Sequence, residues 1–199
     1  MIENKGIIFL GSSVTYGDDG YSFVESLEKN YHINVLKKEA VSSTTLVTLN
    51  NESYIPRLKR IDTLLKPDLF ICQLSTNDAS NNLPIGEISN SDNYNENTII
   101  GAIESIISYA YKTWNTKVTF YTGTKYDSTN YQRMVEALHK IKEKWGIYII
   151  DLWNDEDMNN ISINIYNTYM KDPIHPNRYG YDNWWTPKFV EAINDIFNR

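Results

Sequence analysis

The chain holds three histidines, and one of them, His175, follows a carboxylate by three residues in Asp172-Pro-Ile-His175-Pro176. An imidazole ionises near neutrality and can take a proton from a hydroxyl, while a neighbouring carboxylate fixes its tautomer and stabilises the imidazolium that results. The flanking prolines stiffen the segment, so the pair can be presented with little ordering cost. The same five residues also read as a surface loop with an incidental histidine. His32, beside Tyr31 at a helix-to-strand connection, and His139, among Glu136, Lys140 and Glu143, are expected to be solvated surface residues.

A base of this kind needs a hydroxyl, and Phe9-Leu-Gly-Ser-Ser-Val-Thr-Tyr-Gly17 offers two at the end of an apolar run. Gly11 permits a tight turn, and the amides after it can point at an oxyanion or a phosphate. Taken alone, the segment is equally a Ser/Gly turn joining strand to helix. In Gln73-Leu-Ser-Thr-Asn-Asp78 the Asn77 side chain offers an amide donor at a strand's carboxyl end, although Asn-Asp is also ordinary turn chemistry. Glu39-Ala-Val-Ser-Ser-Thr-Thr-Leu46 is another small-residue loop, able to contribute a backbone NH or simply to turn the chain.

These residues must be positioned by a scaffold, and the hydrophobic rhythm indicates which. Short β-rich apolar runs alternate with longer amphipathic segments, the pattern of an α/β fold with a parallel sheet covered on both faces. Five parallel strands are expected over Gly6 to Leu10, Ile33 to Lys37, Asp68 to Leu74, Lys117 to Tyr121 and Ile147 to Leu152. Helices are expected over Tyr21 to Tyr31, Tyr54 to Leu65, Asn95 to Trp114 and Thr129 to Trp145, with a last one kinked or restarted near Pro187. Two long polar stretches, Ala79 to Tyr94 and Asn154 to Lys171, follow strand ends and are read as loops walling a ligand crevice.

The 199 residues, 41% of them apolar, fit one domain over 1–199 with a core that needs no disulfide or metal. A formal charge of −6 with 19 scattered Lys and Arg disfavours nucleic acid as a partner. No apolar stretch approaches the ~18 residues that would span a bilayer, the amino terminus lacks a signal-peptide pattern, and the single Cys72 cannot form an internal disulfide. A cytoplasmic protein is expected. The histidines are far apart and no H-E-x-x-H or C-x-x-C occurs, so no metal or other cofactor is implied. Neither G-x-x-x-x-G-K-[ST] nor G-x-G-x-x-G is present to support a rival reading as an anion- or nucleotide-binding module.

Gly-Ser-Ser-Val, Ala-Val-Ser-Ser-Thr-Thr, Ser-Thr-Asn-Asp and Asp-Pro-Ile-His-Pro, in this order from Ile7 to Tyr181, resemble the four conserved blocks of the SGNH (GDSL-type) hydrolase family. The resemblance implies a flavodoxin-like three-layer α/β/α sandwich and hydrolysis of a small-molecule acyl ester through a covalent acyl-serine. By position it makes Ser13 the nucleophile, with Ser12 where the family has Asp, and makes His175 the base oriented by Asp172. It assigns the oxyanion hole to the amides of Ser13 and Ser43 and the side chain of Asn77. Two positions depart from the pattern: the second block's glycine falls on Ser43, and the glycine before the third block's asparagine is Ser75. The polar loops, with Tyr16, Tyr126, Trp153, Tyr169 and Trp184 in or near them, point to a short acyl group, acetyl above all, on a carbohydrate or other polar alcohol. Several of those aromatics are expected in the core. The alternative is a lysophospholipase or thioesterase acting on longer chains.

Overall fold

In the computed structural model, which describes residues 2–199, the strands β1 (Gly6–Gly11), β2 (Asn34–Ala40), β3 (Leu69–Gln73), β4 (Lys117–Tyr121) and β5 (Tyr148–Ile150) form one sheet. Its order is β2-β1-β3-β4-β5 and every pairing is parallel. This is the flavodoxin-like order, in which the crevice at the carboxyl ends of the strands is where ligands bind. The helical elements in chain order are α1 (Ser13–Tyr16), α2 (Phe23–Tyr31), α3 (Tyr54–Leu58), α4 (Thr76–Ser80), α5 (Ile99–Trp114), α6 (Thr129–Trp145), α7 (Glu156–Asn159), α8 (Ile163–Tyr169), α9 (Arg178–Gly180) and α10 (Thr186–Asn198).

The strand period of two divides the core into two layers. Ile8, Leu10, Phe70, Cys72, Val118 and Phe120 face α3, α5 and α6. Ile7, Phe9, Leu69, Ile71 and Tyr121 face α2 and α10. The three-layer α/β/α arrangement expected from the sequence is therefore present.

Element ends differ from the sequence expectation for local reasons. β2 runs three residues further, to Ala40, because β1 offers partners as far as Gly11, and an edge strand tolerates the polar Lys37, Lys38 and Glu39. β5 is shorter than expected, three residues at the opposite edge. Ser22 and Glu25 form a reciprocal capping box that starts α2 at Phe23, and Thr98 caps α5 through the Gly101 amide. The segment read as a helix to Leu65 stops at Leu58. Its next residues make tighter bonds, Arg60 N to Arg57 O and Ile61 N to Leu58 O, and Asp62 accepts from the Leu64 amide in an Asx turn.

The stretch 154–171, read as a loop, contains α7 and α8, each started by a side-chain cap, Asp155 and Ser162 respectively. After α4, the stretch to Tyr94 is irregular as expected. It is tied down by the buried Glu104 carboxylate, which accepts from the Ser89 amide, the Lys144 ammonium and the Trp145 indole.

The last helical run is interrupted where expected. Tyr181–Trp185 forms a π-helical turn in which the Thr186 amide donates to the Tyr181 carbonyl, immediately before Pro187. Proline supplies no NH and its ring crowds the carbonyl four residues back, so a widened turn ahead of it relieves the clash. Among the described residues, no helix is long and apolar enough to cross a membrane.

Candidate active site

β1 delivers its final residue, Gly11, directly into the turn that carries both serines. A Cβ on Gly11 would lie 1.8 Å from Thr15 Oγ1, so only glycine lets the Thr15 hydroxyl fold back beneath the turn. That hydroxyl belongs to a buried knot. Gln73 Oε1, at the end of β3, accepts from the Ser12 amide at 2.9 Å, the Thr15 amide at 3.2 Å and the Thr15 hydroxyl at 2.9 Å. With its own hydrogen given to Gln73, Thr15 Oγ1 accepts from the Tyr121 hydroxyl at 2.6 Å. Ser12 is wholly buried, whereas Ser13 is half-buried and opens toward the crevice.

Ser13 Oγ lies 2.8 Å from His175 Nε2. On its other side, His175 Nδ1 is 2.9 and 2.8 Å from the two carboxylate oxygens of Asp172. An ionised carboxylate only accepts, so Nδ1 carries the hydrogen and Nε2 turns its lone pair to the serine. Burial pushes the Asp172 carboxyl upward, but the amides of Ile174 and His175 and the imidazole together hold its pKa below the ordinary carboxylate value. The sequence-predicted Ser13, His175 and Asp172 are thus brought into one hydrogen-bonded line.

The loop bearing His175 is closed on itself and docked onto the serine turn. Met170 and Pro176 pair as an antiparallel bridge, and the Lys171 amide donates to the His175 carbonyl at 2.8 Å. Lys171 Nζ then reaches Asp18 at 2.7 Å, Asp18 also accepts from the Arg178 amide, and the Tyr181 hydroxyl donates to the Val14 carbonyl at 2.9 Å. The hydrogen bond from Lys171, above all, lowers the pKa of Asp18.

Asn77, on α4, and the loop that carries Ser43 are bonded to each other. Ser75 Oγ caps α4 by accepting from the Asn77 amide, and Asn77 Nδ2 donates to the Thr44 carbonyl at 2.9 Å. Asp78, next in the chain and buried, accepts from the amides of Leu46 at 2.8 Å and Val47 at 3.0 Å. Burial raises its pKa despite these donors. Ser43 is exposed, with φ at 64°, the left-handed region that favours glycine and strains a residue with a Cβ.

Arg57 joins the two loops. Fully buried, it donates through Nη2 to the Gly11 carbonyl and to Thr44 Oγ1, through Nη1 to the Glu39 carbonyl, and through Nε to the Glu52 carbonyl. The five-donor fork of a guanidinium suits such a junction of carbonyls.

Sequence reasoning missed Arg57, Gln73 and Asp78. Each carries a faint signal: a charge between Ile55 and Leu58 on a short apolar helix, a lone amide closing an apolar strand, and an acid directly beside Asn77. His139 also departs from expectation. It is half-buried and bound, with Nε2 2.7 Å from Asp151 Oδ2, because the carboxylate at the end of β5 faces α6. His32 is exposed, as expected, and ends α2 in a left-handed conformation. Of the aromatics, Trp153 and Trp184 are buried, Tyr126 and Tyr169 half-buried, and Tyr16 exposed.

The fold recurs in solved structures of low sequence identity. A protein from Lactobacillus plantarum superposes with a TM-score of 0.77 at 16% identity, over 100% of this chain and 98% of that one. An acetylxylan esterase from Geobacillus stearothermophilus gives a TM-score of 0.65 at 15% identity, over 96% and 94% of the two chains. A second acetyl xylan esterase gives 0.68 at 17% identity, over 94% and 99%. No curated protein matches the chain by sequence. The sequence model of the GDSL-like lipase/acylhydrolase family matches residues 9–182, and with that span of the chain matched the protein belongs to this family.

Proposed function

We propose that the protein is a carboxylic ester hydrolase in which Ser13 is the nucleophile, His175 the general base and Asp172 the residue that orients and stabilises the imidazole. The observation that carries this reading is the line from Ser13 Oγ through His175 to Asp172, with both contacts under 3 Å. His175 Nε2 takes the Ser13 proton as Oγ attacks the ester carbonyl. The developing oxyanion is met by the amides of Ser13 and Ser43 and by the second hydrogen of Asn77 Nδ2, the first being directed to Thr44. The imidazolium returns its proton to the leaving alcohol. Water activated by the same imidazole then hydrolyses the acyl-serine.

The acyl group is short, acetyl being the simplest case, and the leaving group a carbohydrate or another polar alcohol. The narrow space lined by Val14 and Ile174, the chain neighbours of Ser13 and His175, is in keeping with a small acyl group. Acetylxylan esterases share the fold. A reducing, cytoplasmic setting accords with the buried, unpaired Cys72.

Mass spectrometry after reaction with a fluorophosphonate tests the nucleophile, with the adduct expected on Ser13. An adduct on Ser12, or none on an intact protein, overturns the reading, and retained nucleotide affinity without labelling would favour a binding module. A series of p-nitrophenyl esters tests the acyl group. Activity that rises beyond about eight carbons would replace the short-acyl assignment with a lysophospholipase or thioesterase.

A further inference from the structure

The turn that follows Ser13 is braced against the segment that carries His175. α1 ends at Gly17, whose amide donates to the Ser13 carbonyl at 2.8 Å. Gly17 has a φ of 93°, and a Cβ there would lie 2.1 Å from the Tyr21 carbonyl oxygen, so only glycine lets the chain turn back at once. Asp18 and Tyr21 then pair through both backbone groups, Asp18 N to Tyr21 O at 2.8 Å and Tyr21 N to Asp18 O at 3.0 Å. Main-chain bonds thereby fix Asp18 relative to Ser13.

The braced turn grips the carboxyl-terminal segment. Asp18 Oδ1 accepts from Lys171 Nζ at 2.7 Å, and Asp18 Oδ2 accepts from the Arg178 amide at 3.2 Å. The Arg178 guanidinium lies over the Tyr21 ring, 4.4 Å from its centroid, and the Tyr21 hydroxyl donates to Asp182 at 2.6 Å. Of these contacts, the one to Lys171 alone falls inside the loop closed between Met170 and Pro176. Lys171 stands at the junction, its amide donating to the His175 carbonyl at 2.8 Å while its ammonium holds Asp18. Ser13 and His175 are thus joined by a second route, from the Ser13 carbonyl through Gly17, Asp18 and Lys171 to the His175 carbonyl.

We infer that Asp18 and Lys171 are positioning residues, whose ion pair sets the approach of His175 Nε2 to Ser13 Oγ from outside the reacting atoms. The inference rests on the ester-hydrolase reading and adds to it the pair that aligns base and nucleophile. Lys171, Asp172 and Pro173 are exposed, so the start of the loop is held by bonds and not by burial. An ion pair with an exposed partner contributes little to global stability. A displacement of about 1 Å in a reacting contact, by contrast, can cost on the order of a hundredfold in rate. Stability and turnover are therefore separable at this pair.

The test compares the unmodified protein with Lys171→Met, Asp18→Ala, the double variant and Lys171→Arg. It reads kcat/KM on p-nitrophenyl acetate, the rate of Ser13 labelling by a fluorophosphonate, and the urea midpoint. Lys171→Met and Asp18→Ala are each expected to lower kcat/KM by roughly tenfold or more, with labelling slowed in parallel. Lys171→Arg keeps a cation within reach of Asp18 and is expected to recover most of the parent rate. Because both side chains act through one contact, the double variant should lose no more than the larger single loss.

The two substitutions remove opposite charges, which separates position from electrostatics. An effect carried by charge would move the two rates in opposite directions, whereas one carried by position lowers both. Opposite movements, losses that multiply in the double variant, or the parent rate in either single variant would each overturn the inference. A lowered urea midpoint with unchanged rates would also overturn it, by showing a contact that serves the fold alone. Absence of both ester hydrolysis and Ser13 labelling in the unmodified protein would instead remove the ester-hydrolase reading itself.

Discussion

Asn77 Nδ2 donates to the carbonyl of Thr44 at 2.9 Å, so the side chain proposed as an oxyanion donor is held by the same loop that carries another proposed donor, Ser43. Its second hydrogen points where the first does not. Loss of one oxyanion donor raises a barrier by about 2.7–4 kcal/mol, so Asn77→Ala is expected to lower turnover by roughly a hundredfold or more. Wild-type turnover of a p-nitrophenyl ester by this variant would sink the assignment. Because Thr44 O also accepts from Ser75 Oγ, a circular dichroism melt should show whether the loop survives the change.

Ser43 at φ 64° holds a conformation that costs an L-residue about 1–2 kcal/mol. Ser43→Gly relieves it while adding unfolded-chain entropy of similar size, so activity should be kept with little change in Tm. Ser43→Val puts a branched Cβ into the same backbone and should lower both. A Val variant as active and stable as the parent would show that the loop conformation is not needed for turnover.

Asp172→Asn leaves an amide beside His175 Nδ1 and permits the wrong tautomer, for which a loss of up to ~10⁴ in kcat has a precedent in a serine hydrolase. The half-exposed position of Asp172 suggests a smaller loss. Kinetics at neutral pH on the variant and the parent decide it, equal rates counting against an orienting role.

The pH dependence follows from the sign of two shifts. Asp172 and Asp18 both have folded pKa values below the unfolded value. Their contribution to stability is therefore fully present above the unfolded pKa, near 3.9, and lost as pH falls through the lower folded values. Carboxyl ¹³C titration should show midpoints for both below that of a model aspartate. The difference in urea stability between the parent and Asp18→Asn, whose partners Lys171 and Arg178 keep their charge throughout, should be constant from pH 7 to about 5 and shrink below that range. A difference that grows as acid is added would reverse the assigned direction.

Arg57→Met removes a buried fork from the Gly11, Glu39 and Glu52 carbonyls and from Thr44 Oγ1. Each buried acceptor left without a donor costs roughly 1–3 kcal/mol, so a clear fall in the urea midpoint is expected. An unchanged midpoint would mean that water replaces the guanidinium.

The sheet and its long helices are legible because α/β periodicity depends on which side chains face the two buried layers. Ile8 against Ile7 and Phe70 against Ile71 declare their faces by alternation alone. The residues proposed for chemistry are legible because Ser13 and Asn77 follow the ends of β1 and β3 and His175 shares a short proline-flanked segment with its carboxylate. What supports them is hidden. Arg57 belongs to a helix of five residues, too short for its face to show a period, and its partners are carbonyls, which every residue has. Gln73 and Asp78 act by accepting from amides distant in the chain, a role that composition cannot distinguish from a turn or an exposed polar position. The helix expected to reach Leu65 stops at Leu58, and further on Asp62, whose side chain bonds its own backbone, keeps the helical pattern from resuming.

The clasp from Met170 to Pro176 has a consequence for how activity arises during folding. Asp172 and His175 meet across three residues inside a loop closed by its own backbone, so their contact is local and inexpensive to form. Ser13 reaches His175 across 162 residues, a contact that requires β1 to be seated between β2 and β3 and the carboxyl-terminal segment to be laid over it. Contacts of long sequence separation form late. The proposed base and its carboxylate are thus a preassembled part that waits for the proposed nucleophile, and in refolding the return of serine reactivity should coincide with completion of the whole sheet.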